Sequence, residues 1–140
     1  MSERSIEDMR SSEFIPFKAG IDKGADFVVL SNMKNKHIAP DGEPCSMSSN
    51  VVEILRKELG FKGIIITDVL SDSIITSSYS VEETAVKCVK AGVDMLLAPE
   101  GIIKSVSAIK AAVESGEISE STINESVGRI LTVKIKRGIK

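Results

Sequence analysis

The chain has 140 residues, of which 42% are hydrophobic and 27% are charged, with a formal net charge of −2. This length suits one domain with its own core, and the charge balance excludes a basic nucleic-acid-binding footprint. No apolar run reaches membrane-spanning length and the first residues, MSERSIEDMR, are too polar for a signal peptide. We therefore expect a cytoplasmic protein without nucleic-acid or membrane partners, provided that residue 1 is the natural start.

The amino-terminal region predicts a helix that leads into a first strand. Residues 6–19 have a helical pattern, although Pro16 must break this helix or begin a second one. The short apolar run 27–31 follows and has the composition of a β-strand. Gly24 lies between the two, where a glycine can adopt the left-handed conformation that ends a helix.

A long polar loop is predicted after the first strand, over residues 32–50. It contains Pro40, Pro44 and the only histidine of the chain, His37. Such a loop after the carboxyl end of a strand is typical of a functional site, and a solvated connection is an equally good interpretation. We interpret His37 as a surface residue of this loop.

The segment 55–71 is the most informative part of the sequence. An amphipathic helix leads into an apolar strand over residues 63–67, and a carboxylate, Asp68, follows directly. The three consecutive isoleucines are typical of a parallel strand that is covered on both faces. Because α/β proteins place functional groups at the carboxyl ends of such strands, Asp68 is the first candidate for a functional residue. The alternative is that Asp68 caps the next helix.

The remaining sequence predicts three helices and one strand. Ser80 and Glu83 form a capping box for a helix that extends to about residue 90. A strand over residues 95–98 and a helix from residue 102 to about 115 follow. A last helix begins at residue 119 or 122 and ends among lysine and arginine residues, which favour the carboxyl end of a helix dipole.

Three strands separated by helices indicate an α/β fold with a parallel sheet in a single domain. The strands begin about 30 residues apart, which is the length of a βαβ unit. A closed eight-stranded barrel needs about 200 residues or more, so the chain predicts a part of a barrel or a small open sheet. Because exposed edges and an apolar face would remain, we expect a homo-oligomer or association with a missing barrel half.

The two cysteines lie far apart and lack the spacing of metal ligands. Cys88 falls in a helical pattern, and we interpret it as a small buried hydrophobic residue. Cys45 lies in the polar loop, and the sequence leaves open a disulfide between the two. We expect no metal ion and no cofactor.

Residues 54–68, ILRKELGFKGIIITD, closely resemble the active-site signature of glycoside hydrolase family 3. Other segments resemble parts of the same family in the same order: 16–26, 44–48, 91–97 and 127–134. Within the family, the sequence most resembles the bacterial β-N-acetylhexosaminidases, which cleave N-acetylglucosamine from cell-wall fragments.

The resemblance implies a partial (β/α)8 barrel of the TIM type and a retaining glycosidase in which Asp68 is the catalytic nucleophile. Such an enzyme needs a carboxylate that attacks the anomeric carbon and a proton donor about 5 Å away across the scissile bond. The implied substrate is a glycan that contains N-acetylglucosamine. The family often has a histidine where this chain has Asn32, and an asparagine can still hydrogen-bond a sugar hydroxyl. Asn32 is therefore a candidate for substrate binding.

The chain departs from the family pattern after the nucleophile. The family commonly reads Asp-Asp-Leu-x-Met, whereas Val69 and Asp72 stand at the second and fifth of these positions. A paired acid/base role for Asp68 and Asp72 is disfavoured, because two carboxylates on one segment cannot easily straddle a glycosidic bond.

The second catalytic group of the family has no match in this sequence. In the hexosaminidase branch it is a histidine in a segment similar to Lys-His-Phe-Pro-Gly-His-Gly, and His37 has different neighbours. One hypothesis is the carboxyl-terminal part of a glycosidase, catalytic only within a complete barrel. The other is a non-catalytic remnant that folds by self-association. We expect no hydrolysis by the isolated chain under either hypothesis. The signature disfavours an unrelated small α/β binding domain.

Overall fold

The fold is known from a computed structural model, which describes residues 4–139. Three parallel strands form one sheet in the order β1-β2-β3, and helices connect them. The strands are β1 (Phe27–Leu30), β2 (Ile64–Val69) and β3 (Met95–Leu97). The predicted α/β fold with three parallel strands is confirmed. β2 extends two residues beyond its predicted end and therefore includes Asp68.

Seven α-helices are assigned among the described residues, and their bounds follow in chain order. They are α1 (Ile6–Ser11), α2 (Phe14–Asp22), α3 (Ser49–Glu53), α4 (Ser73–Thr76), α5 (Val81–Ala91), α6 (Ile102–Glu114) and α7 (Glu120–Lys136). A 3-10 turn (Cys45–Met47) precedes α3, and a π-helical turn (Ile54–Glu58) continues it. No helix among residues 4–139 is both long and apolar enough to cross a membrane.

The helix boundaries follow the expected local chemistry. Pro16 lies in the first turn of α2, where its missing N–H costs no helical hydrogen bond, so the amino-terminal pattern divides into two helices. The Ser80 side chain accepts a hydrogen bond from the backbone N–H of Glu83 and caps α5. Gly92 ends α5 in the left-handed conformation, with φ of 97°. Ser119 is the cap of α7.

One face of the sheet forms the core with the helices. Val28 and Leu30 of β1 and Ile65 of β2 are buried there, and Cys45 and Cys88 are buried in the same cluster. Both cysteines are free, so the structure contains no disulfide between them. Burial raises the pKa of the Cys88 thiol to about 12. The interpretation of Cys88 as a small buried hydrophobic residue is confirmed.

The opposite face of the sheet is largely open. Side chains at alternate positions of β1 and β3 remain exposed on it: Phe27 (49%), Val29 (56%), Met95 (37%) and Leu97 (39%). The expectation that the isoleucine run is covered on both faces is correct only at its amino end. Ile64 and Ile65 are buried, but Ile66 is only half-buried, because no described element packs over the central part of this face.

A buried carboxylate joins the sheet to the helices at its amino-terminal edge. The Asp94 side chain has no exposed surface, and it accepts hydrogen bonds from Arg56 Nη2 at 2.6 Å and Arg129 Nε at 2.8 Å. It also accepts one from the Ile65 backbone N–H at 2.8 Å. Asp94 therefore connects β2, the start of β3, the π-helical turn and α7.

Helix α7 crosses beneath the amino-terminal ends of all three strands. Arg129 lies at the start of β3, while Lys136 and Arg137 form ion pairs with Asp26, which precedes β1. Seven helical residues rise about 10 Å, and two strand spacings also measure about 10 Å. The length of α7 between these cations therefore matches the width of the sheet.

Gly63 lies where the chain enters β2 and has no room for a side chain. A Cβ atom there would lie 2.5 Å from the carbonyl oxygen of Asp26 and 2.6 Å from the ring of Phe61. The carbonyl belongs to the backbone that pairs with β2, since Asp26 O accepts the Ile64 N–H at 2.8 Å. It cannot move without disturbing that pairing.

Replacing Gly63 with alanine is expected to lower the free energy of unfolding by about 1–3 kcal/mol, because the added methyl group overpacks this junction. Urea denaturation followed by circular dichroism measures the change. Gly128→Ala is the control, since Gly128 lies within α7 and a methyl group there would meet no atom of another segment within 4 Å. The control should raise stability by about 0.5–1 kcal/mol. Equal effects of both substitutions would contradict the close approach at Gly63.

Replacing Asp94 with asparagine is expected to cost about 3–5 kcal/mol, because two partly buried guanidinium groups lose their counter-charge. The control is Asp22→Asn, which removes the ion pair between Asp22 and Lys18. Their side chains are 57% and 48% exposed, respectively. That change should cost no more than about 0.5 kcal/mol. The difference between the two urea midpoints is the measurement, and comparable midpoints would show that the Asp94 cluster does not stabilise the fold.

Candidate active site at the carboxyl edge of the sheet

Asp68 lies near the carboxyl end of the central strand, β2, and is exposed. The register of β2 against β3 shifts between Ile66 and Val69, so the regular alternation of side chains does not extend through Asp68. Ile66 is paired with Val29 and Met95, which belong to the open face. The exposed Asp68 carboxylate therefore lies just beyond the open-face residue Ile66, where β2 ends.

The Asp68 carboxylate has few contacts with the described part of the chain. Among residues 4–139, its one hydrogen bond is the 2.8 Å contact that Oδ1 accepts from the backbone N–H of Val69. It takes part in no ion pair with a described residue. A carboxylate in this state is accessible to a small molecule that approaches the carboxyl edge of the sheet.

The alternative role of Asp68 as a helix cap is wrong. Asp72 caps α4, since its Oδ1 accepts the backbone N–H of Ile74 at 2.9 Å. The position of Asp72, four residues after the candidate nucleophile, is therefore explained by helix capping.

Asn32 is buried beside the end of β2, with only 4% of its surface exposed. Its amide nitrogen donates to the carbonyl oxygen of Val69 at 2.8 Å, and its Oδ1 accepts from Ser46 Oγ at 2.9 Å. Asn32 thus connects the end of the Asp68 strand to the polar loop. An asparagine amide has two N–H donors, so one donor remains for another partner. Its role in substrate binding stays a prediction.

The polar loop after β1 lies at the carboxyl edge of the sheet, next to the candidate site. It contains an isolated bridge between Lys34 and Pro44, and its second half, from Pro44 to Ser48, is buried. His37 lies in this loop and is partly exposed, as expected for a loop surface residue. The loop is therefore solvated at residues 40–42 and buried at residues 44–48, and its part in a functional site stays a prediction.

A charged cluster that sequence reasoning missed joins this loop to the segment after β2. Glu43 accepts hydrogen bonds from the hydroxyl of Tyr79 and from Lys87 Nζ, each at 2.9 Å. Lys34 and Lys87 both lie over the Tyr79 ring, 5.9 Å and 5.7 Å from its centroid. Residues so distant in the chain form no local motif, so no sequence signal could have found them.

The cluster perturbs the ionisation of its members. Burial acts to raise the pKa of Glu43, but the hydrogen bonds from Lys87 and Tyr79 outweigh it, and the net pKa is lowered. The pKa of Lys87 is raised, chiefly by its hydrogen bond to Glu43. Both shifts favour the charged pair.

The carboxyl end of β3 carries an unusual backbone conformation. Ala98 has φ of 45°, and it is the one non-glycine residue with positive φ among residues 4–139. Two hydrogen bonds hold Leu97, the residue before it: Thr67 Oγ1 accepts the Leu97 N–H, and the Leu97 carbonyl accepts the Leu70 N–H, both at 3.0 Å. Strain of this kind is common next to functional sites.

At this edge of the sheet, Asp68 is an exposed carboxylate next to exposed apolar side chains. Within residues 4–139, no group of three or more His, Cys, Asp or Glu side chains could hold a metal ion. The arrangement suits nucleophilic attack by a carboxylate, and a proton donor facing Asp68 is not among the described contacts.

Comparison with known proteins identifies a family. The sequence profile described as "Glycosyl hydrolase family 3 N terminal domain" matches residues 1–133. A curated relative, the beta-hexosaminidase of Stenotrophomonas maltophilia (strain K279a), is 32% identical over 110 residues, which make up 76% of this chain and 32% of the relative. The beta-hexosaminidase of Xanthomonas campestris pv. campestris (strain B100) is 32% identical over 109 residues and is covered to the same extent. The chain spans about a third of the length of these relatives.

Solved structures have the same fold. A glycoside hydrolase family 3 beta-N-acetylglucosaminidase from Paenibacillus sp. str. FPU-7 superposes with a TM-score of 0.92 and 38% identity over 97% of this chain, which corresponds to 27% of that chain. The beta-N-acetylglucosaminidase from Thermotoga maritima has a TM-score of 0.84 at 20% identity, over 94% of this chain and 30% of its own, and supports the fold alone.

The stability of the fold is expected to fall in acid partly through Glu43. Because the folded-state pKa of Glu43 is lowered, its contribution is present above the unfolded pKa of about 4.3 and is lost as the pH falls through the folded value. Urea midpoints measured between pH 7 and pH 3 should decline more steeply for the native chain than for Glu43→Gln. Parallel declines would show that the cluster does not hold Glu43 charged.

Proposed function

The chain belongs to glycosyl hydrolase family 3, and on that premise we propose that Asp68 is the nucleophile of a retaining hydrolase that acts on amino-sugar glycans. The observation that supports this most directly is the state of Asp68. It is exposed at the carboxyl edge of the sheet, it has no ion pair among residues 4–139, and the capping role is performed by Asp72.

The proposed reaction has two steps. Asp68 attacks the anomeric carbon, and the bond to the leaving oxygen breaks while an acid outside this chain protonates that oxygen. The resulting glycosyl ester on Asp68 is then hydrolysed by water, which gives up its proton to the same outside group acting as a base. The chain thus supplies the nucleophile but not the acid/base.

The proposed substrate is a glycan that contains N-acetylglucosamine. This choice rests on the names of the relatives, which are a beta-hexosaminidase at 32% identity and a beta-N-acetylglucosaminidase at 38% identity. We further propose that Asn32 contacts the sugar through its remaining N–H. Its two internal hydrogen bonds, to Val69 and Ser46, would hold that donor in a fixed orientation beside the strand that carries Asp68.

The second candidate function is a non-catalytic remnant of the barrel that is stabilised by self-association. The open apolar face favours this interpretation, because a monomer would expose Phe27, Val29 and Leu97 to water.

The isolated chain is expected not to hydrolyse 4-nitrophenyl N-acetyl-β-glucosaminide, because no proton donor faces Asp68 among its described residues. Release of 4-nitrophenolate, followed by absorbance, is the measurement, with Asp68→Asn as the background. Turnover that the substitution abolishes would contradict the claim that the acid/base lies outside this chain.

The nucleophile itself is tested when the chain is co-expressed with the part of the Stenotrophomonas maltophilia relative that it does not cover. Turnover should then appear, and Asp68→Asn should lower it about a thousandfold or more. Asp72→Asn is the matched control, because asparagine also caps helices well, and it should leave turnover unchanged. Equal losses from both substitutions would argue against Asp68 as the nucleophile.

A further inference from the structure

We propose that Thr67 is a positioning residue for Asp68, because its buried hydroxyl holds a β-bulge that sets the direction of the Asp68 carboxylate. The Thr67 side chain is fully buried, so it acts through Asp68 rather than by touching a substrate. The inference deepens the proposed function and rests on it for one consequence only, since an effect on turnover requires Asp68 to be the nucleophile.

The carboxyl end of β2 contains one residue more than the neighbouring part of β3. Between two paired positions, β2 advances three residues, from Ile66 to Val69, while β3 advances two, from Met95 to Leu97. An extra residue of this kind is a β-bulge, which bends the strand and redirects its side chains, and bulges are common next to active sites. Asp68 lies within this step, so its orientation depends on the contacts that hold the bulge.

Two hydrogen bonds to a single residue of β3 close the bulge on either side of Asp68. The hydroxyl oxygen of Thr67, Oγ1, accepts the backbone N–H of Leu97 at 3.0 Å. The Leu97 carbonyl oxygen accepts the backbone N–H of Leu70, also at 3.0 Å. The second contact uses only backbone atoms and is open to any residue except proline at position 70. The first contact requires a side-chain acceptor at position 67.

The peptide group between Val69 and Leu70 is held from both neighbouring strands. Its carbonyl oxygen accepts the Asn32 amide N–H at 2.8 Å, and its N–H donates to the Leu97 carbonyl. This fixed peptide comes directly after the Val69 N–H, which donates to Asp68 Oδ1 at 2.8 Å. A shift of the bulge would therefore move the donor that orients the carboxylate.

The backbone after the bulge is also constrained. Ala98 follows Leu97 and has φ of 45°, in the left-handed region that a residue with a Cβ atom seldom adopts. Such a conformation persists only where the surrounding contacts hold it in place. The hydrogen bond from the Leu97 N–H to Thr67 is one of these contacts, so the Thr67 hydroxyl restrains both strands at this edge.

A general contribution to packing is the competing interpretation of Thr67, and Thr84 allows the two to be separated. Thr84 lies on α5 and is also buried, with 4% of its surface exposed against 0% for Thr67. Among residues 4–139, its side chain makes no hydrogen bond to β2 or β3, whereas Thr67 bonds to Leu97. Thr84→Val is therefore the matched control for Thr67→Val.

In the chain alone, Thr67→Val is expected to reorient Asp68, because valine has the shape of threonine but lacks the oxygen that accepts the Leu97 N–H. The side-chain carboxyl ¹³C resonance of Asp68, identified by its loss in Asp68→Asn, should move. Exchange of the Val69 amide hydrogen should become about tenfold faster. Thr67→Ser keeps the hydroxyl and should leave both signals close to native, and Thr84→Val should leave them unchanged.

Circular dichroism checks that each variant is folded. If the unpaired N–H unfolds Thr67→Val, the comparison is made between Thr67→Ala and Thr67→Ser. The smaller alanine leaves room for a water molecule at the Leu97 N–H, and both variants lack the threonine methyl group. They differ only in the hydroxyl, so a difference between their Asp68 signals reports on that group alone.

The same variants are compared in the complex that is co-expressed with the remaining part of the Stenotrophomonas maltophilia relative. Thr67→Val should lower kcat about tenfold and change KM by less than about twofold, because a misdirected carboxylate weakens the transition state and leaves the substrate contacts in place. Thr67→Ser should restore kcat to within about twofold of the native value. Thr84→Val should leave kcat and KM unchanged.

The outcomes separate this inference from the proposed function. If the native complex turns over and Thr67→Val does so equally well, or changes only KM, the inference is overturned and the proposed function stands. Equal losses of kcat from Thr67→Ser or from Thr84→Val also overturn it, because the hydroxyl at position 67 would not be the cause.

A native complex without turnover contradicts the proposed function instead. The signals of the chain alone then decide the inference. An Asp68 resonance and a Val69 exchange rate that stay at their native values in the variant without the hydroxyl overturn it, and a change in both that Thr67→Ser reverses supports it.

Discussion

The rest of the structure depends on the burial of one carboxylate, that of Asp94. Removing an ion from water costs several kcal/mol, and only close counter-charges and full hydrogen bonding offset this cost. Arg56, Arg129 and the Ile65 N–H provide both. Burial lowers the pKa of Arg56, although the Asp94 carboxylate opposes that shift, and guanidinium remains protonated in proteins. Since the partners come from different segments, the charge is satisfied only when all of them are in place.

The two edges of the sheet differ in how their carboxylates are paired. The amino-terminal edge is closed by ion pairs, since Asp94 binds two arginines and Asp26 binds Lys136 and Arg137 at the end of α7. At the carboxyl edge, Asp68 is exposed, and its one hydrogen-bond partner among residues 4–139 is the backbone of Val69. Parallel α/β folds generally place stabilising contacts at the first edge and chemistry at the second. The stabilising ion pairs are thus those of Asp94 and Asp26, which agrees with the proposal that Asp68 is the nucleophile.

Local patterns explain why part of the fold and site could be predicted. The Gly-bounded isoleucine run and its following carboxylate predicted β2 and Asp68, because strand period and position depend on near neighbours. The same reasoning failed for the second face of β2, whose cover depends on elements that adjacent residues do not specify. Likewise, the sequence left Asp68 as a possible cap of the next helix, and the backbone geometry assigned that role to Asp72.

By itself, the sequence determined the strand–helix alternation, the start of a helix at Ser80, and the family to which the signature belongs. Each of these rests on residues close together in the chain. Tertiary structure alone decided that Asn32 holds the end of β2, and that Glu43, Tyr79 and Lys87 form one cluster. Those contacts join residues more than thirty positions apart, so they exist only once the sheet has brought the loops together. The same holds for the open face of the sheet, because exposure is a property of the packed molecule rather than of any segment.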